Sequence, residues 1–370
     1  MRAVSVDAIV MSASVSTADI QAAVGYACGR EGGARVRGAS VHGISPPQIF
    51  AFGRGRCRFP SLPRVASALD YPTRPLTLVV PFAAGGPSDV AGRVIAQRMS
   101  EVFGKPVVVE NLSGAGGTVG SAHVAKAAPD GYQFVLGNSG THVWSQSLYK
   151  QPPYNTIKDF TPVSLVVESP RTLITPKTFP ANSLPEFIAY VKANQTTVKY
   201  GSAGAGSASH VSCVLFNAAM GINVTHVPYR GLAPAMQDLT AGRVDYLCDS
   251  PSTTLPQIKG DFVKVLSTTG LKRAAALPQV PTAREQGLPF DVTTWQAIFL
   301  PKDTPDAIVQ RLNQVIGETL DTPSVRERFT TIGEEVTTPQ RRGPEYLIKF
   351  VASEIERWSG PIRASGATMD

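Results

Sequence analysis

From residue 71 onward, short apolar runs alternate with longer stretches of helical spacing. Residues 76–80 read Leu-Thr-Leu-Val-Val and stop at Pro81, the composition of a parallel strand buried on both faces. A helix is predicted over 89–103, with Val90, Val94, Ile95 and Met99 at helical spacing and Gly104 as its stop. A strand at 106–110, a glycine loop at 111–120, a short helix at 121–128 and a strand at 132–137 extend the series. Strand, turn and helix recur about every 25–30 residues, the rhythm of a doubly wound sheet. After a further strand at 160–167 a fresh unit begins. Ser183, Pro185 and Glu186 open a helix that runs to Asn194. A strand at 198–200, a helix at 207–220, a strand at 224–227, a helix at 231–241 and a strand at 244–248 come next, with 256–258 and 263–268 following. Near 290–300 the chain leaves this unit, and helices at 305–320, 324–333 and 345–358 finish it. The expected organisation is one α/β domain over 71–170 and 290–370, with a second, 171–289, inserted in it. Two crossings, near 168–173 and 288–296, would make a hinge.

Residues 1–70 break the pattern. They hold Ser-Pro-Pro, an Arg54-Gly55-Arg56-Cys57-Arg58 cluster, eight Arg, no Lys and four acids, so +4 of the chain's formal +7. Ala66-Ser67-Ala68 has the look of a signal cleavage site, but Pro60, Pro63 and Arg64 stand where the apolar stretch should be. This segment is expected to be an atypical or misassigned export leader without packed structure. The other +3, spread over 71–370, makes no basic stripe interleaved with aromatics, so no nucleic-acid surface is expected. No apolar run reaches the roughly 18 residues of a membrane span. Of the four cysteines, Cys28 and Cys57 fall in the atypical segment. Cys213 and Cys248 sit in apolar surroundings and are expected as buried free thiols.

Two turns carry the candidate chemistry. The first is Pro81-Phe82-Ala83-Ala84-Gly85-Gly86-Pro87-Ser88-Asp89; the second is Gly201-Ser202-Ala203-Gly204-Ala205-Gly206-Ser207. Each lies where a strand hands over to a helix, and amides at a helix start make an anion site. Facing one cleft, the two would hold a small acid from both sides. Gly85 and Gly86 permit close backbone approach, Ser88 and Asp89 suit capping, and Ser202, Gly206 and Ser207 offer N–H and O–H donors. Ser139 and Thr141, at the end of the 132–137 strand, and Asp249, at the end of the 244–248 strand, are candidate cleft walls, because ligands in such sheets sit at the carboxyl ends of strands. An ordinary capped turn remains the alternative for each. Neither the dinucleotide fingerprint nor a Walker loop is present. No G-x-S-x-G elbow occurs, and His42, His123, His142, His210 and His226 have no metal spacing. No catalytic residue, cofactor or metal is therefore assigned. Main-chain donors, rather than an arginine clamp, are expected to supply affinity.

Longer motifs give a resemblance. Tyr71-Pro72-x-Arg74-Pro75 with Val79 through Asp89, Val109-Glu110-Asn111-x-x-Gly114-Ala115-Gly116-Gly117, Ala128-Pro129-Asp130-Gly131-Tyr132, Gly201-Ser202-x-Gly204-x-Gly206-Ser207-x-x-His210, Val227-Pro228-Tyr229-Arg230-Gly231 and Glu356-Arg357-Trp358 follow in order. The set resembles the substrate receptors of tripartite tricarboxylate transporters, also called Bug proteins, over nearly all of 71–370. The resemblance implies a type II periplasmic-binding-protein-like fold of two doubly wound α/β domains joined by a two-strand hinge. It implies a periplasmic monomer that binds a small organic carboxylate and delivers it to a two-subunit membrane carrier. The family's site maps onto Phe82, Ala84, Gly85, Ser88 and Asp89 in the first turn and Ser202, Gly206 and Ser207 in the second, with Ser139 and Asp249 as side walls. A sensing receptor with a signalling partner, and a small-molecule hydrolase using the same cleft, are the alternatives. Trp144 stands where many relatives carry smaller residues; facing the cleft, it would favour a flat or aromatic guest.

Overall fold

The computed structural model of the chain describes residues 70–369, so the segment expected as a leader lies, but for Asp70, outside the described residues. A first lobe is built on β1 (Leu76–Val80), β2 (Val107–Asn111), β3 (Gln133–Asn138), β4 (Phe160–Pro170), β10 (Thr293–Pro301) and β11 (Glu335–Val336). Their order is β11-β4-β10-β3-β1-β2. A second lobe carries β5 (Thr172–Pro176), β6 (Lys199–Ser202), β7 (Thr225–Pro228), β8 (Tyr246–Asp249) and β9 (Val263–Thr268), in the order β7-β6-β8-β5-β9. Both sheets are mixed. β1 runs parallel to β2 and β3, and β6 to β7 and β8. The strands that enter or leave a lobe pair antiparallel, β10 with β3 and β4, and β5 with β8 and β9.

The principal helices are α1 (Pro87–Phe103), α2 (Thr118–Ala125), α3 (Leu184–Ala193), α4 (Ala208–Met220), α5 (Leu232–Thr240), α6 (Pro251–Lys259), α7 (Asp306–Asp321), α8 (Pro323–Thr331) and α9 (Pro344–Ala364). Local chemistry sets their ends. Ser183 caps α3 by accepting the Glu186 N–H, and Gly104 ends α1 with φ +62°, the left-handed stop that glycine makes cheaply. Helix α2 begins three residues before the expected 121, where the Thr118 hydroxyl donates to Ala115 O (2.8 Å). Residues 256–258, given no element type from sequence, fall inside helix α6; Pro256 lies within it and forfeits one backbone bond.

One face of the first sheet packs on α1 and α7 through Leu76, Leu78, Ile95, Met99, Phe134, Leu312 and Ile316. A second cluster, including Trp144, Phe187, Phe216, Tyr246, Trp295 and Trp358, runs through both lobes. Trp144 is fully buried edge-on against Trp358, with ring centroids 5.9 Å apart; it belongs to this core and does not line the cleft. The expectation of free thiols at Cys213 and Cys248 is corrected as well. Both are buried, but α4 lies over β8 so that their Cα atoms are 5.4 Å apart and they form a disulfide.

A single residue, Arg171, separates β4 of the first lobe from β5 of the second. Its N–H donates to Thr269 Oγ1 (2.8 Å), and its carbonyl accepts the Thr269 N–H (2.8 Å). Thr269 O in turn accepts the Val292 N–H (3.0 Å), just before β10 returns to the first lobe. Residues 171, 269 and 292 are thus tied by backbone bonds at the passage between lobes.

Candidate anion-binding cleft

The first turn is shaped by Asp89. Gly85 takes φ +81°, and its N–H reaches back to Asp89 Oδ2 (2.9 Å). The same carboxylate accepts Arg93 Nε (2.9 Å) and Asn111 Nδ2 (3.0 Å), while Asn111 also donates to Phe82 O (3.0 Å). Burial pushes the Asp89 carboxyl up, but bonds from Arg93, Gly85 and Asn111 outweigh it and hold it below the usual range. Asp89 is thus spent on holding the turn. Helix α1 then starts at Gly86 without a side-chain cap. Pro87 has no N–H, and the amides of Ser88 and Asp89 have no intrahelical acceptor.

The second turn is braced by two histidines. His210 and His226 lie 4.2 Å apart, centroid to centroid. His210 Nδ1 accepts the Gly206 N–H (3.2 Å), and His226 Nε2 is 2.7 Å from Ser202 Oγ, which also accepts the Gly204 N–H (3.1 Å). Burial lowers the pKa of His210 to about 3 and of His226 to about 4, so both are neutral rings at pH 7. Ser207 caps α4 at the His210 N–H (3.3 Å), and Ser209 Oγ accepts the Ala203 N–H (2.9 Å). The amides of Ala208 and Ser209 remain without intrahelical acceptors. Ser202 is fully buried, and its contacts with His226 and the Gly204 N–H brace the turn.

The two helix starts meet. One cavity, of about 30 Å³, is lined by Phe82, Gly86, Pro87 and Ser88 from the first turn, Asn138 from the end of β3, Ala203, Ser207, Ala208 and Ser209 from the second turn, Leu232 from α5, and Arg171. Glycines allow this approach. A Cβ on Gly140 would lie 2.9 Å from Ser207 C and closer still to Ala208 N; one on Gly116 would lie 2.7 Å from Ser207 N. A larger groove of about 510 Å³ runs between α1 and α8 on the first lobe alone and does not bring the turns together.

Of the residues singled out from sequence, Phe82, Ser88 and Ser207 line the cavity. The others are placed around it. Ala84 and Gly85 are exposed, Gly85 opening onto a side groove shared with α5 and α6. Gly206 faces Met369, Leu148 and Tyr149. Ser139 Oγ accepts the Trp295 N–H (3.1 Å), and Thr141 Oγ1 accepts the Asn138 N–H (3.0 Å). Asp249 is buried and accepts Ser250 N (2.8 Å), Thr253 Oγ1 (2.7 Å) and Thr254 Oγ1 (3.2 Å) at the head of α6.

Asn138, Ser209 and Arg171 line the same cavity and were not singled out from sequence. Arg171 is 5% exposed and its Nε has no partner. Burial lowers its pKa; the fields of Asp249 and Glu334 offset this in part. Burial raises the carboxyls of those two acids. The available signal was a single cation between two strand-forming stretches, Val163 to Val167 and Thr172 to Thr175. Among the described residues, no group of three or more His, Cys, Asp or Glu could hold a metal ion, and no helix is long and apolar enough to cross a membrane.

A family model described as tripartite tricarboxylate transporter family receptor matches residues 91–367. The chain belongs to that family. Among this receptor family's curated proteins it is 36% identical to Protein BugT of Bordetella pertussis over 305 residues, covering 82% of this chain and 93% of that one. Among solved structures it is similar to MatC from Rhodopseudomonas palustris with bound malate, at 41% identity and a TM-score of 0.77, covering 79% of this chain and all of MatC. It is also similar to the periplasmic binding protein BugD (39%, TM-score 0.78, covering 81% of this chain and 100% of that one) and to Rpa4515 of R. palustris with adipate (34%, TM-score 0.77, covering 81% and 100%). The receptor fold, two α/β domains with mixed sheets joined by connecting strands, is the type II periplasmic-binding-protein architecture.

Proposed function

We propose that this chain is a periplasmic receptor that captures a small organic carboxylate between its lobes and passes it to a two-subunit membrane carrier. One observation carries the reading: two helix starts from different lobes, neither with its first two amides satisfied, border a single cavity. Each start presents roughly half a positive charge, and their donors are fixed by the Asp89 and His210 bonds before any guest arrives. A carboxylate between them gains charge-assisted bonds at little ordering cost. The relatives solved with malate and with adipate support an aliphatic acid as the guest. The cavity has room for about one or two waters, so a four-carbon acid enters only when the lobes part. The passage at Arg171 and at 292, where one lobe meets the other, is the natural axis.

The test is a thermal-shift screen of the full chain against mono-, di- and tricarboxylic acids and aromatic acids, followed by calorimetry on those that respond. Linkage raises stability by about 2.7 kcal/mol at a hundredfold excess over Kd, so a true guest lifts the midpoint by several degrees. No response to any acid would refute the reading.

A further inference from the structure

We propose that Glu334 is a proton-linked latch between the lobes: closing brings it against Ser250 and it enters the closed form as a neutral acid, so closure takes up a proton and guest binding tightens as pH falls. The binding half of this rests on the receptor reading; the closure half does not.

Glu334 stands between α8 and β11 in the first lobe, and Ser250 is the residue before α6 in the second. The Ser250 hydroxyl donates to Glu334 Oε1 (2.7 Å), a bond from one lobe to the other, and accepts from Ser252 Oγ (3.1 Å). The seat is tight. A Cβ on Gly333, which holds φ +75°, would lie 2.5 Å from Pro251 Cβ and 3.2 Å from Ala276 Cβ, both in the second lobe. Parting the lobes here takes Glu334 away from Ser250 and into water.

Three formal charges share the buried space: Arg171, Asp249 and Glu334, which are 5%, 0% and 3% exposed. Arg171 acts on both acids through its field. One cation against two carboxylates leaves a negative charge uncompensated, and a buried group in that position takes a proton. The hydrogen bonds decide which acid takes it. Asp249 accepts three, from Ser250 N (2.8 Å), Thr253 Oγ1 (2.7 Å) and Thr254 Oγ1 (3.2 Å), so its anion is well solvated by the protein. Glu334 Oε2 is buried and has no partner. Burial raises the Glu334 carboxyl, and the hydroxyls of Ser250, Ser252 and Ser169 with the field of Arg171 offset this only in part.

The other charged groups around the turn leave this count unchanged. From α8, Arg326 pairs with Asp321 (2.6 Å). On β4, Glu168 lies opposite Glu335 and is bonded by Arg341 Nη2 (2.8 Å). The second lobe brings three alanines, 274–276, to this side. A cavity of about 310 Å³ bordered by those alanines, Arg326 and Glu334 gives the proton its way to water. In the open form Glu334 titrates near the usual value of about 4.3; in the closed form it stays protonated to higher pH. Between the two values closure binds a proton, and affinity rises as pH falls with a slope of about tenfold per pH unit at most.

Two measurements on the full chain, wild type and Glu334→Gln, test this from about pH 8 to about pH 5.5. Glutamine keeps the shape of the acid and cannot ionise. The first is small-angle X-ray scattering without any guest: the wild type should become more compact as pH falls, and Glu334→Gln should be compact throughout. The second is calorimetry with malate and with adipate in buffers of different ionisation enthalpy. The guests' own carboxyls titrate alike against both chains, so the difference between chains reports Glu334. The wild type should take up a fraction of a proton more than Glu334→Gln, and its affinity should approach the variant's as pH falls. Matching scattering profiles together with matching proton uptake overturn the latch and leave the receptor reading standing. If neither acid binds, the scattering profiles decide the latch alone, and the receptor reading stands or falls by its own screen.

Discussion

Gly140→Ala tests whether the close seating of the lobes is what builds the site. Gly140 follows β3 in the first lobe. The nearest atoms to a Cβ added there all belong to the start of α4 in the second lobe, at 2.9 Å for Ser207 C and 3.0 Å for Ala208 Cα, with Ala208 N nearer still. Ordinary contacts begin at 3.4 Å. The two backbones must therefore back away by about half an ångström to one ångström, and backbone yields less readily than a side chain. Overpacking of this kind costs about 1–3 kcal/mol. Here the cost falls on the seated arrangement and not on either lobe, so it should appear as a 5- to 150-fold loss of carboxylate affinity. Calorimetry with a diacid found in the screen measures it, and a urea midpoint checks that the fold is kept. Gly317→Ala is the control: it lies inside α7 with no atom within 4 Å of the added Cβ. It should leave affinity unchanged and raise stability by about 0.5–1 kcal/mol. Wild-type affinity in Gly140→Ala would refute the reasoning, because the helix starts would then not need to approach this closely.

Other outcomes follow from single features of the fold. Replacing both Cys213 and Cys248 with Ala opens a loop of 35 residues; chain entropy sets the loss at about 4 kcal/mol, readable as a lower denaturant midpoint that reductant reproduces in the wild type alone. His142 is fully buried against Phe299 and Phe160, and burial lowers its pKa to about 3. The unfolded chain takes up a proton there below about 6.5 that the native state refuses, so stability falls as pH drops from 6.5 toward 3, by about 1.4 kcal/mol per unit. His142→Phe should flatten the profile by that slope, and parallel profiles would exclude the assignment. Asp89→Asn should loosen the first turn by removing the charge that gathers Gly85, Arg93 and Asn111. Arg93 is more than half exposed, so the ion pair adds little; the expected loss is about 1–2 kcal/mol of stability, mostly from the buried bonds, together with weaker acid binding by calorimetry.

Much of the fold was legible from local pattern. The apolar run 76–80, the Ser183 cap and the Gly104 stop act within a few residues of themselves, and the structure has β1, α3 and the end of α1 where they point. Both turns were legible for the same reason: glycine and serine at a strand–helix handover are a local signal. Which atoms of those turns are free was not. Asp89, Ser202 and Gly206 carry polar groups suited to a ligand, yet the structure commits them to Arg93, His226 and His210. Ser139 and Asp249 end strands, as wall residues would, and their side chains bond the Trp295 N–H and the head of α6.

The sequence by itself determined the alternation of strand and helix, the two amide-rich turns and the family, because each rests on residues near one another in the chain or on an ordered set of short motifs. Tertiary structure alone decided that turns about 120 residues apart share one cavity, that Cys213 lies against Cys248, and that the guanidinium of Arg171 is buried beside both helix starts. Those facts depend on how strands cross between lobes and pair in each sheet. Such long-range geometry leaves no period or spacing in the residues it brings together.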